Sequence, residues 1–169
     1  MTYVSHYDSP LGGITMASDG AALTGLWFDG QKYFPEGLPA GDHACTQAAG
    51  RVFAQAVEWL DVFFSGREPD FTPPLHPEGS DFRKAVWRIL LSIPRGQTLT
   101  YGEIAARIAG ERSLPRMSAQ AVGGAVGHNP ISIIIPCHRV IGSDGSPTGY
   151  AGGLERKRRL LELEGVLLS

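Results

Sequence analysis

The chain has 169 residues, 43% of them hydrophobic and 19% charged, which supplies a buried core and an ordinary globular composition. No apolar run approaches the ~20 residues that span a bilayer. Met1-Thr2-Tyr3-Val4-Ser5-His6 lacks the basic-then-apolar pattern of a signal peptide, so a cytoplasmic protein with Cys45 and Cys137 reduced is expected. The net charge of −2 conceals a split: residues 1–80 carry three Lys/Arg against ten Asp/Glu (net −7), and residues 81–169 carry twelve against seven (net +5). A basic half in an otherwise acidic chain points to a polyanionic partner. His76, His128 and His138 stand at no metal-ligand spacing and no Cys-x-x-Cys occurs, so no metal site is expected.

Thr2–Tyr7, Gly13–Ala17 and Ala22–Phe28 are short and rich in β-formers. Ser9-Pro10-Leu11-Gly12 and Ser18-Asp19-Gly20 separate them, which predicts a β-meander. Between Thr46 and Phe64, Val52, Ala56, Val57, Leu60 and Phe64 recur at helical spacing until Gly66 stops the helix. Glu68–Ser80 contains Pro69, Pro73, Pro74 and Pro77 and coincides with the change in charge. Such composition reads as a linker and places domains at 1–76 and 77–169.

The second half reads as mainly helical. Phe82, Val86, Ile89, Leu90 and Ile93 form one stripe, with Ser80 or Asp81 as N-cap and Pro94-Arg95-Gly96 as terminator. Thr100-Tyr101-Gly102-Glu103 fits a capping box opening a helix over Tyr101–Ala109. Gly110–Pro115 then turns into a helix over Met117–Val126, which ends near Gly127-His128-Asn129-Pro130. Two short helices around a tight connection in a basic half resemble a helix-turn-helix. A last helix spans about Gly153–Glu164, with Leu154, Leu160, Leu161 and Leu163 as its apolar contacts. The expected architecture is a small α/β domain, an antiparallel sheet plus helix, followed by a mainly α domain with a helix-turn-helix.

The chemistry concentrates in Ile135-Pro136-Cys137-His138-Arg139-Val140. A thiol reacts as its thiolate, which neighbouring imidazole and guanidinium groups favour, and Pro136 stiffens the chain just before the sulfur. Adjacent residues of an extended segment point to opposite sides, so Cys137 and His138 need a bridging water for the imidazole to act as base. A distant carboxylate would fix the imidazole tautomer; Glu164 and Glu103 both qualify, and spacing does not choose between them.

Pro136-Cys137-His138-Arg139-Val140-Ile141-Gly142, Thr148-Gly149-Tyr150-Ala151-Gly152-Gly153-Leu154 and Leu160-Leu161-Glu162-Leu163-Glu164-Gly165 resemble the O6-alkylguanine-DNA alkyltransferases. The resemblance extends through Gly96-Gln97-Thr98-Leu99-Thr100-Tyr101-Gly102-Glu103 and Ala121-Val122-Gly123-Gly124. It is dense over residues ~80–169, whereas the first half agrees in layout with that family's ribonuclease H-like supporting domain. The resemblance implies a methylated-DNA–protein-cysteine methyltransferase that repairs DNA by direct reversal. In that activity Cys137 takes the alkyl group from O6 of a flipped guanine and keeps it, so one molecule repairs one base. No cofactor is implied, and the implied partner is double-stranded DNA carrying O6-alkylguanine, met by a monomer.

By the same resemblance His138 is the base acting through water and Glu164 the carboxylate orienting it. Tyr101 bonds the flipped guanine, Val140 reads its exocyclic amine through a carbonyl, and Tyr150 and Ala151 close the pocket. Asn129 ties the turn between recognition helix and active-site strand. Arg139 and Ala121 fall among the substrate- and DNA-contacting positions. One residue departs from the pattern: Gln120 stands where the family has an intercalating Arg. An uncharged, less stacking side chain predicts weaker engagement of duplex DNA, with Arg116 compensating from the same region. Ser118, Ala119, Ala121 and Gly123 are small enough for close approach to a minor groove. Rival readings are a lesion-binding protein without transfer, a DNA-binding regulator, and a cysteine hydrolase, which would require an oxyanion hole.

Overall fold

The computed structural model describes residues 1–40 and 46–167, so Cys45, expected above to be reduced, lies outside the described residues. The chain forms two compact units. One comprises Met1–Glu78 with Pro130–Ser132, and the other Gly79–Asn129 with the chain from Ile133 onward.

In the first unit, β1 (Tyr3–Ser9), β2 (Gly12–Ser18) and β3 (Leu23–Phe28) make an antiparallel meander in the order β1-β2-β3. Tyr3 faces Ser18 and Ser9 faces Gly12 across the first hairpin, and Ile14 faces Phe28 across the second. Helix α1 (Gln47–Phe64) is amphipathic as its spacing requires, burying Val52, Phe53, Ala56, Trp59, Leu60 and Phe63. Thr46 caps it by accepting from the Ala49 amide at 3.1 Å. Gly66, at φ +89°, ends it: the Gly66 and Arg67 amides donate to the carbonyls of Phe63 and Val62. The Pro-rich segment is less of a free linker than its composition implies. The Leu23 amide donates to Pro74 O and the His76 amide to Leu23 O, both at 2.8 Å. Proline lacks a donor but keeps its acceptor, so such a segment still pairs along one edge. Leu26 is bonded in the same way to Pro130 O and the Ser132 amide.

The second unit contains α2 (Asp81–Leu91), α3 (Tyr101–Glu111), α4 (Ala119–Gly127) and α5 (Leu154–Leu163), with a short parallel pair of β4 (Leu99–Thr100) and β5 (Val140–Ile141). Ser80 is the N-cap of α2. The capping box on α3 is complete: the Glu103 amide donates to Thr100 Oγ1 and the Thr100 amide to Glu103 Oε1, each at 3.1 Å. Ser118 caps α4 through the Gln120 and Ala121 amides. Buried Trp87 on α2 donates its indole N–H to Ala125 O at 2.9 Å, fixing α4 against α2. In α5 Leu160 and Leu161 are buried as expected, but Leu154, the first residue of the helix, is 50% exposed.

Candidate active site

Cys137 sits neither on a strand nor in an extended segment. Pro136 has φ −80° and ψ 67°, an inverse γ-turn, and the Cys137 amide donates across it to Ile135 O at 2.8 Å. Residues Cys137–Arg139 then form one 3₁₀ turn, closed by Arg139 N–H to Pro136 O at 3.0 Å and Val140 N–H to Cys137 O. The ring of Pro136 fixes φ, so the sulfur leaves the turn in a set direction. Asn129 Nδ2 donates to the same Ile135 carbonyl at 2.8 Å, which pins the turn from the end of α4.

The turn sends neighbouring side chains to different partners. His138 is wholly buried and its Nε2 lies 2.9 Å from Glu164 Oε1. A carboxylate there assigns the proton to Nε2 and leaves Nδ1 as the basic nitrogen. Glu103 is committed to its capping box, so the choice between two carboxylates is settled by geometry in favour of Glu164. Arg139 turns inward as well. Its Nε lies 3.1 Å from both Glu164 oxygens, a terminal nitrogen bonds Oε2, and Nη1 donates to Ile93 O at 2.6 Å. Arg139 therefore stands with the His–Glu pair and does not present its guanidinium to DNA.

The electrostatics follow from burial. Burial pushes the His138 imidazole below its ordinary value; the Glu164 bond opposes this, while the Arg139 and Lys157 cations add to it. Burial also works against ionisation of Glu164, but the bonds from His138 and Arg139 prevail and hold its carboxyl at about 2. With His138 neutral, Arg139 is the cation that Glu164 faces. Burial raises the Cys137 thiol, partly offset by a bond from Asn129 and the charge of Lys157, so the sulfur rests protonated near neutral pH.

Around the sulfur stand Tyr101, Tyr150 and Lys157. The Tyr101 hydroxyl, at the start of α3, donates to Thr148 O at 2.8 Å, and burial and Cys137 raise its pKa to about 12. Gly149 has φ +69°, and a Cβ there would stand 3.3 Å from the Tyr101 hydroxyl, so both conformation and clearance call for glycine. Tyr150 is partly exposed as a residue, but its hydroxyl is buried, and burial followed by the nearby Cys137 sulfur pushes its pKa well up. Ala151 lies half-buried just beyond it, and Val140 is buried three residues after Cys137.

Lys157, which with Arg156 belongs to the family-like pattern of the sequence, is a site residue to which sequence reasoning gave no role. It is fully buried, and its ammonium donates to the carbonyls of Val140, Thr148 (3.0 Å) and Gly149 (2.9 Å). Burial lowers its pKa to about 8, with Cys137 pulling the other way. A signal was present: Lys157, Leu160, Leu161 and Glu164 recur at i, i+3, i+4 and i+7, placing Lys157 on the inward stripe of α5.

Gln120 and Ala121 are apart from this cluster, exposed in the first turn of α4 with Ser118, Ala119 and Arg116. The exposed face of α4 is thus small and uncharged, with Arg116 as its nearest cation in sequence. Among the described residues no group of three His, Cys, Asp or Glu side chains is arranged to hold a metal ion, and no helix is long and apolar enough to cross a membrane.

A helix pair with an exposed small-residue face, in the same unit as a buried thiol and a His–Glu pair, defines a class: helix-pair proteins with an internal cysteine site. Two family descriptions make the class specific. Residues 81–166 match "6-O-methylguanine DNA methyltransferase, DNA binding domain" and residues 2–77 match its "ribonuclease-like domain". The chain belongs to the 6-O-methylguanine DNA methyltransferase family. A methylated-DNA–protein-cysteine methyltransferase of Mycobacterium tuberculosis (strain ATCC 25618 / H37Rv) is 46% identical over 162 residues, covering 94% of this chain and 92% of the relative. The crystal structure of the Mycobacterium tuberculosis O6-methylguanine methyltransferase superposes with a TM-score of 0.80 at 44% identity, over 97% of this chain and 93% of that one. The same organism's OGT in complex with DNA gives 0.76 at 43% identity, over 94% and 90%. The α/β meander-plus-helix unit followed by a helical unit agrees with that fold.

Proposed function

We propose that this protein repairs DNA by direct reversal, moving the alkyl group of an O6-alkylguanine in double-stranded DNA irreversibly onto Cys137. The observation that carries the reading is the buried Cys137–His138–Glu164 arrangement, in which the imidazole is oriented by a carboxylate and held neutral. Support comes from relatives that carry this activity in their names over nearly the whole chain, and from one solved with DNA.

A neutral His138 with its proton on Nε2 accepts the thiol proton at Nδ1 through a water molecule, as Cys137 sulfur attacks the alkyl carbon. The sulfur–carbon bond forms while the carbon–O6 bond breaks, and the departing guanine takes up a proton. The raised thiol pKa makes this coupling necessary, since little thiolate is present beforehand. Glu164 keeps the imidazole in register throughout. Tyr101 and the Tyr150–Ala151 segment face the base, and Val140 offers its carbonyl edge. Asn129 holds the turn, and Gln120 and Ala121 meet the duplex where the base leaves it. Extrusion costs a few kcal/mol of unstacking, which DNA contacts must offset. A thioether has no route back to the thiol here, so each molecule acts once, as a monomer in the cytoplasm.

Incubation with free O6-benzylguanine tests the reading. One benzyl adduct on Cys137 per molecule, absent in Cys137→Ala, is the expected result. Continued turnover would indicate hydrolysis, and clearance of O6-methylguanine from DNA by Cys137→Ala would overturn the assignment.

A further inference from the structure

Arg139 makes more contacts with the His138–Glu164 pair than an accessory surface cation would. Its Nε reaches both carboxylate oxygens at 3.1 Å, one terminal nitrogen bonds Oε2, and the other donates to the Ile93 carbonyl at 2.6 Å. Ile93 follows the end of α2, and Glu164 caps the end of α5, so one guanidinium joins the 3₁₀ turn to two helix ends. From the α2 side, Arg95 donates to Leu163 O at 3.0 Å, a second tie between the same two segments. Glu164 Oε1 also accepts from His138, so the carboxylate's orientation is set by the fork on one side and the imidazole on the other.

We infer that Arg139 is a positioning residue for alkyl transfer: its guanidinium fixes the Glu164 carboxylate so that one oxygen faces His138. The inference rests on the transfer to Cys137 proposed above. A lysine would supply the charge from one point and lose the two-point hold. The charge has its own effect, because the Arg139 cation balances Glu164 and so keeps the carboxylate from raising the basicity of His138. The other groups facing the pair are Lys157 on α5 and Tyr150, with Arg95 one residue away at the Leu163 carbonyl. A DNA contact is the competing role, and it makes opposite demands: an exposed guanidinium and an effect confined to DNA substrates.

The experiment is single-turnover labelling of Cys137 in the parent, Arg139→Lys and Arg139→Met. It uses free O6-benzylguanine and duplex DNA carrying O6-methylguanine, from pH 5.5 to 9. Partners of this kind typically contribute ~10–100-fold in activity, so Arg139→Lys is expected to lose about tenfold in limiting rate and Arg139→Met more. Half-saturation by the free base stays within about twofold of the parent, because Arg139 does not touch substrate. The acid limb of the rate profile moves to higher pH in Arg139→Met and stays in place in Arg139→Lys, a split that mere loss of packing does not produce. If Arg139→Met fails to fold, the rate loss at unchanged half-saturation in Arg139→Lys decides alone. A parental limiting rate in Arg139→Lys, or a defect seen with duplex and absent with free base, overturns the inference. A parent protein that benzylguanine does not label would sink the underlying reaction instead.

Discussion

Replacing Lys157 with Met removes a charge and three donors while keeping the length of the side chain. Thr148 O retains the Tyr101 hydroxyl at 2.8 Å and Gly149 O keeps only a longer 3.4 Å approach from it, so the Val140 and Gly149 carbonyls carry the loss. Each buried carbonyl without a donor costs ~1–3 kcal/mol. Against this stands the burial of the ammonium: a fall from 10.5 to about 8 corresponds, at ~1.4 kcal/mol per pH unit, to about 3 kcal/mol against the charged form. Near pH 7 the two effects oppose each other, and Lys157→Met should be destabilised by only about 0–3 kcal/mol. The sign with pH is fixed. Between the folded value and the unfolded one, the unfolded chain holds the proton and the folded chain does not, so parental stability rises relative to the variant. The gap should therefore widen by about 2–3 kcal/mol from pH 7.5 to 10. Tyr101, Tyr150 and Cys137 titrate in the opposite sense, but they are common to both proteins and largely cancel in the difference. Urea unfolding of both proteins across this range, followed by tryptophan fluorescence, measures the gap. A difference that stays flat or shrinks would show that the ammonium is not the buried, carbonyl-bound cation described here.

Gln120→Arg should speed repair of duplex DNA by roughly threefold to tenfold and leave the rate on free O6-benzylguanine unchanged, as stopped-time repair assays on the two substrates would show. Asn129→Ala removes a bond to Ile135 O and one to the sulfur; iodoacetamide labelling of Cys137 at pH 8 should slow, and stability should fall by ~1–3 kcal/mol. Glu164, held at about 2 against an ordinary 4.5, contributes stability that is present above 4.5 and lost as pH falls through 2. Glu164→Gln should cost ~3–5 kcal/mol at pH 7, where Arg139 is left uncompensated, and the deficit should shrink between pH 4.5 and 2 in urea titrations.

The parts of the fold written locally were readable from the sequence. Thr100 and Glu103 signal a helix start within four residues, and their capping box forms as the pattern requires. The meander and α1 follow from alternation, turn residues and a 3.6 period. Other features depend on partners distant in sequence. In the sequence Arg139 reads as a cation beside the thiol and, by the resemblance, as a substrate- or DNA-contacting position, and only the approach of Glu164 and Ile93 turns it inward. Lys157 lies in the run Arg156-Lys157-Arg158-Arg159, which resembles a solvated face; its burial depends on carbonyls contributed by Val140, Thr148 and Gly149. The expected extended conformation at Cys137 yielded to Pro136, whose ring favours the γ-turn once Ile135 O is held by Asn129.

That γ-turn bears on what kind of electrophile the sulfur can serve. In acyl transfer, negative charge gathers on an oxygen of the very carbon under attack, and the nucleophile's own amide commonly helps to bind it. The Cys137 amide is already closed into a ring with Ile135 O, and the Arg139 and Val140 amides donate back to the carbonyls of Pro136 and Cys137. These three amides of the turn are therefore committed elsewhere and do not form such a cradle. Displacement at a saturated carbon has no need of one, because the charge departs on the far side with the leaving oxygen. The donors that reaction requires belong with the leaving oxygen, and the hydroxyls of Tyr101 and Tyr150 lie in the same site as the thiol. A backbone closed at the nucleophile suits a site that releases a base and keeps a methyl.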